Sequence, residues 1–270
     1  MADIAPFLQS VKLPVMPEVA HALIRTLNDE DADVTTVRNV IAKDPALTAT
    51  LLRMANSAIF GLSRSVDTLD SAVSVVGLSQ IRARALSICM SNVFVLPPGL
   101  SRLEFWRSSM VCAGYARWFA SSIGMDEQQA WLTGMMLRLG ELVIAQKHPE
   151  LLGAIEHKPC EPGDRWARER ALVGFDEGQI TAEVARRWDF PEELTLGLDT
   201  CTQPLRTADF SRLGAVVHLA ALIADAPAVS VLTLDALPAD VIAALPLDLP
   251  RLRERMPDAD AFSDTSMLQV

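Results

Sequence analysis

The sequence predicts an all-α protein, and three features carry that prediction. Ala and Leu are abundant while one Tyr and five Trp are present in 270 residues, a composition that favours helix because straight-chain and small side chains lose little freedom there. Apolar residues recur at helical spacing between dense Pro, Asp and Gly punctuation. No stretch reads as a β-run, and no internal repeat is found. Half the residues are hydrophobic, enough to bury the core of one large domain or two small ones.

The elements follow in order. In LPVMPEVAHALIRTLND, Pro17 sits where a first helical residue would sit, and Val19, Leu23 and Leu27 repeat along one face. Asp33 can cap VTTVRNVIA. In KDPALTATLLRMANSAIFG, Asp44 is the expected N-cap and Pro45 the first helical residue, with Leu47, Leu51, Leu52 and Met54 apolar and Gly61 as the stop. Asp67 or Thr68 can cap a short helix that Gly77 breaks, and a second helix starts near Ser79. VLPPGL, residues 95–100, marks a boundary. Beyond it the helices lengthen: one from Leu103 to Ser121, including Trp106, Met110, Tyr115 and Trp118, and one from Asp126 to Gln146. HKPCEPGD loops; RWARERALVG and DEGQITAEVARRWD are helical; Pro191 opens ELTLGLDTC; SRLGAVVHLAALIAD is a strongly apolar helix. LPADVIAALPLDLPRLRERM gives two short helices, and the tail from Pro257 is polar and expected to fray.

Net charge is −10, which repels phosphate backbones on average, so neither nucleic acid nor an anionic membrane is an expected partner. Cys89, Cys112, Cys160 and Cys201 stand far apart and form no CxxC pair, as expected of free thiols in a reducing compartment. MADIAPFLQSVKLP has no basic region followed by an apolar core, and no stretch reaches about 18 uninterrupted apolar residues. The expectation is a cytoplasmic protein without a signal peptide or membrane span.

Candidate chemistry is sparse. His21, His148, His157 and His218 show no HxH, HxxxH or HExxH spacing, so no helix face offers a metal two ligands. GxSxG, GxGxxG and GxxxxGK[ST] are absent. AVSVVGLSQIRARAL has the look of a helix-turn-helix, with Ala72 and Val75 inward, Gly77 at the turn, and Gln80, Arg82 and Arg84 free to reach a groove. An ordinary pair of bundle helices with solvent-facing arginines explains it better, since short matches of this kind are common by chance. In TGMMLRLGELVIAQ, Arg138 and Glu141 are three residues apart and meet on one helix face among apolar neighbours. Such a pair, if buried, serves specificity more than stability and is not by itself a catalytic site.

Several motifs in order resemble the HDOD family, signalling relatives of HD-type metal-dependent phosphohydrolases. They are Leu13-Pro14 and Met16-Pro17, then Asp44-Pro45-Ala46-Leu47-Thr48, then Ala55-Asn56-Ser57-Ala58-Ile59-Phe60-Gly61. LDSAVSVVGLSQIRARAL, FWRSSMVCAGYARWFA and EVARRWDFPEEL continue the similarity, which spans roughly residues 10–225 and weakens the helix-turn-helix reading. HD-type hydrolases hold metal with scattered His and Asp, including an adjacent His-Asp pair, because the metal activates the water that attacks phosphorus. Relatives read much like GLLHDIGKL where this chain has Gly134 to Leu142. Leu137 therefore stands at the histidine and Arg138 at the aspartate. Ser108 stands at an upstream histidine, Glu177 near a further one, Cys201 and Thr202 at a histidine pair, and Ala221 at a late aspartate.

The resemblance implies two helical lobes: residues 1–100 as an N-terminal bundle, 101–225 as a degenerate HD-like bundle, and 226–270 as short helices and tail. It implies no metal, no cofactor and no catalysis. Arg138 is expected to pair with Glu141, Glu177 or another acid, or else to hold an anion in the old pocket. The two lobes use nearly all of the chain, so the implied function is signalling by association with a protein partner or a nucleotide signal. A metal-dependent phosphohydrolase and a DNA-binding regulator acting through residues 72–86 are the alternatives.

Overall fold

The computed structural model describes residues 4–29, 31–57, 65–157, 160–206 and 210–268. Among them are seventeen α-helices and no strand, so the fold is all-α. The chain forms two compact units that alternate along the sequence. The smaller contains Pro14–Phe94, Trp188–Pro191 and Thr265–Val270; the larger contains Met1–Leu13, Val95–Arg187 and Glu192–Asp264. The sequence division into 1–100, 101–225 and 226–270 is thus redrawn. The first helix, α1 (Ala5–Gln9), belongs to the larger unit, where Lys147 Nζ donates to the Phe7 carbonyl at 2.8 Å and Gln146 Nε2 to Lys12 at 3.0 Å.

The smaller unit carries α2 (Glu18–Leu27), α3 (Val34–Ile41), α4 (Pro45–Ala55), α5 (Leu69–Val76) and α6 (Leu78–Val93). Leu23, Ile24, Val37, Ile41, Leu51 and Ile81 form its core. The expected caps hold. Asp33 Oδ1 accepts from Thr36 N–H at 2.7 Å, Asp44 Oδ1 from Leu47 N–H at 3.0 Å with Pro45 as the first helical residue, and Thr68 rather than Asp67 caps α5. Asn56, not Gly61, follows the last residue of α4. Its side chain clamps the returning chain in both senses: Nδ2 donates to Val66 O and Oδ1 accepts from Val66 N–H, both at 2.7 Å. Ser57 N–H closes the helix end on the Met54 carbonyl at 2.9 Å. Phe60 and Gly61 lie outside the described residues.

Gly77 has φ +93°, which a residue with a Cβ adopts only under strain, and the chain bends there by 113° between α5 and α6. That angle suits a helix-turn-helix, but the second helix is no groove reader. It is buried from Ala83 to Ser91, including Arg84 at 8% exposure, while Arg82 Nη1 donates to the Thr26 carbonyl at 2.6 Å. Val75, expected inside, is exposed.

The larger unit adds α7 (Arg102–Ser122), α8 (Glu127–Met136), α9 (Leu139–Lys147), α10 (Leu152–Ile155), α11 (Asp164–Val173), α12 (Glu177–Arg187), α13 (Glu192–Thr200), α14 (Arg212–Asp225), α15 (Val231–Asp235), α16 (Ala239–Ala243) and α17 (Leu249–Arg255). Helix α7 packs between α8 and α14, and α12 packs on α13 and α9. The polar tail does not fray where described. Tyr115 Oη donates to the Pro257 carbonyl at 2.8 Å, Phe262 meets the Tyr115 ring edge-on at 5.1 Å, and Met267 and Leu268 are buried.

The single helix expected from Asp126 to Gln146 is two helices, broken at Leu137-Arg138. The Thr181 hydroxyl of α12 enters the gap. It donates to the Leu137 carbonyl at 2.8 Å and accepts from Gly140 N–H at 2.7 Å, groups that a continuous helix would pair within itself. Close approach makes this possible: a Cβ on Gly140 would collide with the Glu177 carbonyl. Gly140→Ala should therefore force α9 from α12 and cost about 1–3 kcal/mol, read as a lower thermal midpoint. Gly153→Ala, at an exposed helical site with open space around it, should not lower the midpoint.

Candidate functional site

The break between α8 and α9 sets Arg138 into a buried ion cluster. Arg138 Nε and Nη2 both donate to Glu141 Oε2, at 3.1 and 2.6 Å, and Nη2 also reaches Glu156 Oε1 at 3.2 Å, just after α10. Its guanidinium carbon lies 5.2 Å from the centre of the Phe105 ring of α7. A second arginine completes the cluster. Arg165 of α11 donates from Nη2 to Glu177 Oε1 at 2.8 Å and from Nη1 to Asp225 Oδ1 at 3.2 Å, and its Nε lies 3.9 Å from both Glu156 and Glu169. Trp166 Nε1 donates to Glu177 Oε1 at 2.7 Å, and the Glu177 N–H donates to Glu169 Oε2 at 2.8 Å.

Two guanidiniums thus face five carboxylates, and the Glu141, Glu169 and Glu177 side chains are wholly buried. Glu141 Oε1, Glu169 Oε1, Glu177 Oε2 and Asp225 Oδ2 accept no hydrogen bond within the protein. Burial penalises the ionised forms of Glu141 and Glu169. For Glu141, burial outweighs the attraction of Arg138, and Glu156 and Glu177 add repulsion beyond what Arg165 offsets; its carboxyl is pushed up to about 7. For Glu169, burial and then the Glu177 charge raise the carboxyl well above the ordinary value despite Arg165.

One side of the cluster opens into a cavity of about 580 Å³. Ser108, Phe105, Arg138, Glu156, Arg165 and Asp225 line it, with Cys160 and Glu161 at another wall. Of the residues singled out from sequence, Arg138, Glu141 and Glu177 meet in the cluster, although Glu177 pairs with Arg165 rather than Arg138. Ser108 shares the cavity wall with Arg138, and Leu137 is buried with its carbonyl on Thr181. Cys201 and Thr202 are bonded elsewhere. Cys201 Sγ donates to Leu198 O, its own carbonyl accepts from His218 Nδ1 at 2.6 Å, and Thr202 Oγ1 donates to Asp176 Oδ2 at 2.7 Å. Ala221 is buried on α14; one turn later on the same helix, Asp225 is the acid that reaches the site.

These residues do not fit a metal centre. Leu137 is a hydrocarbon and Arg138 a guanidinium, neither of which ligates a metal ion, and the carboxylates point their paired oxygens at arginines. His218 is turned onto a carbonyl, and burial lowers its pKa. Among the described residues no three His, Cys, Asp or Glu are grouped to hold a metal ion.

Comparison with known proteins agrees with this architecture. The helical units are those of an HDOD domain. The chain belongs to the HDOD family: the HDOD domain model matches residues 13–204. It is 26% identical to a provisionally named phosphohydrolase from Shewanella amazonensis SB2B, whose crystal structure superposes with a TM-score of 0.79 over 98% of both chains. An HDOD domain protein of unknown function from Geobacter sulfurreducens shares the fold at 21% identity, with a TM-score of 0.69 over 80% of this chain and 74% of that one. So does a provisionally named signal transduction protein from Marinobacter aquaeolei VT8, at 21% identity and a TM-score of 0.81, covering 98% of this chain and 61% of that one. An uncharacterized protein of Treponema pallidum (strain Nichols) is 24% identical over 183 residues, 67% of this chain, which spans about a third (36%) of that relative's length. Among the described residues no single helix is long and apolar enough to cross a membrane.

Sequence reasoning missed Glu156, Arg165, Glu169 and Asp225. RWARER carries Arg165 and Glu169 at i,i+4 spacing, but nothing local says that this charged face turns inward. Two outcomes test the construction. Thr181→Val, nearly isosteric, leaves Leu137 O and Gly140 N–H unpaired in the interior and should destabilise by about 2 kcal/mol in urea unfolding. Arg165→Met strands Glu177 and Asp225 and should cost about 3–5 kcal/mol, read in the same urea unfolding.

Proposed function

We propose that this chain is a non-catalytic, cytoplasmic regulatory module. It acts by binding a protein partner or a small signalling ligand, and the cavity beside Arg138 is the default ligand site. The observation that carries the reading is the Arg138–Glu141 pair. A guanidinium fixed by two hydrogen bonds to one buried carboxylate oxygen occupies the place that resembles the metal-ligating aspartate of HD hydrolases. A cation there repels a metal ion, and Leu137 beside it offers no lone pair. The old active site is thus degenerate, and its volume is kept by an ion cluster.

The signal-transduction label of the Marinobacter relative supports the same direction, while the phosphohydrolase label of the Shewanella relative names the rival. The inward commitment of Arg82 and Arg84 and the acidic balance speak against a nucleic-acid partner. Elemental analysis of protein purified from metal-supplemented medium, followed by assay on bis(p-nitrophenyl) phosphate, separates the readings. The expected result is metal well below one equivalent and no hydrolysis. A full equivalent of Fe, Mn or Zn with turnover would overturn the proposal.

A further inference from the structure

Among the five carboxylates of the cluster, Glu141 is placed to exchange a proton with consequences for the cavity. Its Oε2 is occupied by both Arg138 donors, while its Oε1 has no partner and is sealed from solvent. Arg138 is held between two acids of different character, Glu141 wholly buried and Glu156 partly exposed at the cavity wall. We propose that the cluster is a proton-operated catch, in which Glu141 binds a solvent proton on Oε1 and leaves Glu156 as the ionised partner of Arg138. In the proton-free state, Arg138 bridges two carboxylates and its charge is spent in the interior. In the protonated state the bond to Glu141 becomes one between an ion and a neutral group, and the weaker of the two. The cavity wall then carries one more unit of positive charge, and the site tolerates an anionic ligand better in acid than in alkali.

The surrounding groups allow this. Facing Glu141 are Arg138 at the helix break, Glu156 after α10, Arg165 on α11, and Glu177 on α12; Glu169 on α11, Asp225 on α14 and Cys112 on α7 complete the same electrostatic set. The remaining charges on elements packed against α9 are engaged elsewhere. Glu150 is exposed beside His148, Glu183, Arg186 and Arg187 pair together and with Asp199, and Asp176 pairs with Arg170. Five carboxylates thus share Arg138 and Arg165, an excess of acid that burial makes costly to keep ionised.

Burial and then the Glu177 charge hold the Glu169 carboxyl well above the ordinary value; Glu141, pushed up to about 7, is the member that switches. The sign of the linked stability follows. Folded Glu141 keeps its proton where the unfolded chain, at the ordinary value of 4.5, has lost it, so stability falls as pH rises from about 4.5 to about 7 and this group adds no slope above that.

The regulatory meaning rests on the proposed ligand cavity, but the proton step does not, and its readout needs no ligand. Infrared difference spectra of the full chain should show one protonated-carboxyl band that persists across the range and is lost in Glu169→Gln. A second should fade around pH 7 and be missing in Glu141→Gln. Glu141→Gln should also flatten the fall in stability below about pH 7. A titrating band that survives Glu141→Gln, or none at all, would overturn the proposal. Should that variant fail to fold, a carbon-13 titration of glutamate-labelled wild-type protein decides. An inflection near pH 7 supports the catch, and inflections confined to the ordinary carboxylate range refute it.

Discussion

The larger unit depends on one constraint: two arginines must hold five carboxylates inside it. Arg165 ties α11 to α12 and α14, Arg138 ties the α8–α9 break to the end of α10, and Glu156 stands between the two guanidiniums. Each of these helices also buries apolar surface, which drives assembly without specifying angle or register. The ion cluster adds the specification, because charge-assisted bonds hold only over narrow distances and angles. Buried ions contribute little net stability once desolvation is counted. Their effect is to penalise every other arrangement of the same helices.

The helix break belongs to that constraint. A continuous helix from Asp126 to Gln146 would satisfy its own backbone and leave Thr181 without partners. Instead the Thr181 hydroxyl stands in for one turn of backbone bonding, and the glycine at position 140 lets α12 come close enough to deliver it. Redirecting the chain at Leu137 and Arg138 lets Leu137 enter the core while Arg138 reaches the cavity wall.

The smaller unit is built on local rules with little chemistry. Asp33, Asp44 and Thr68 cap their helices, Gly77 turns the chain, and Asn56 clamps Val66 through both amide atoms. The motif residues Asp44, Pro45 and Asn56 therefore have architectural roles. Arg82 and Arg84, which on sequence alone could serve recognition, are spent on internal packing and on a helix carbonyl.

The sequence by itself determined the helical class, the caps, the turn at Gly77 and the family, and it offered Glu141 as one of several partners for Arg138. All are consequences of residues within a few positions of one another, where spacing fixes geometry. Only the tertiary structure decided the rest. It showed that Glu177 answers to Arg165, that Asp225 rather than a residue at Ala221 reaches the site, and that Cys201 and Thr202 look elsewhere. It placed α1 in the larger unit and the C-terminal segment from Thr265 in the smaller one, and it broke the long helix. Apart from the local Cys201–Leu198 bond, each of these depends on partners 10 to 60 or more positions away. RWARER has the composition of a solvated helix, and an aspartate ending an apolar helix has that of a cap. What turns such groups inward is the charge already waiting there, and that charge comes from four helices, the α8–α9 break and the turn after α10.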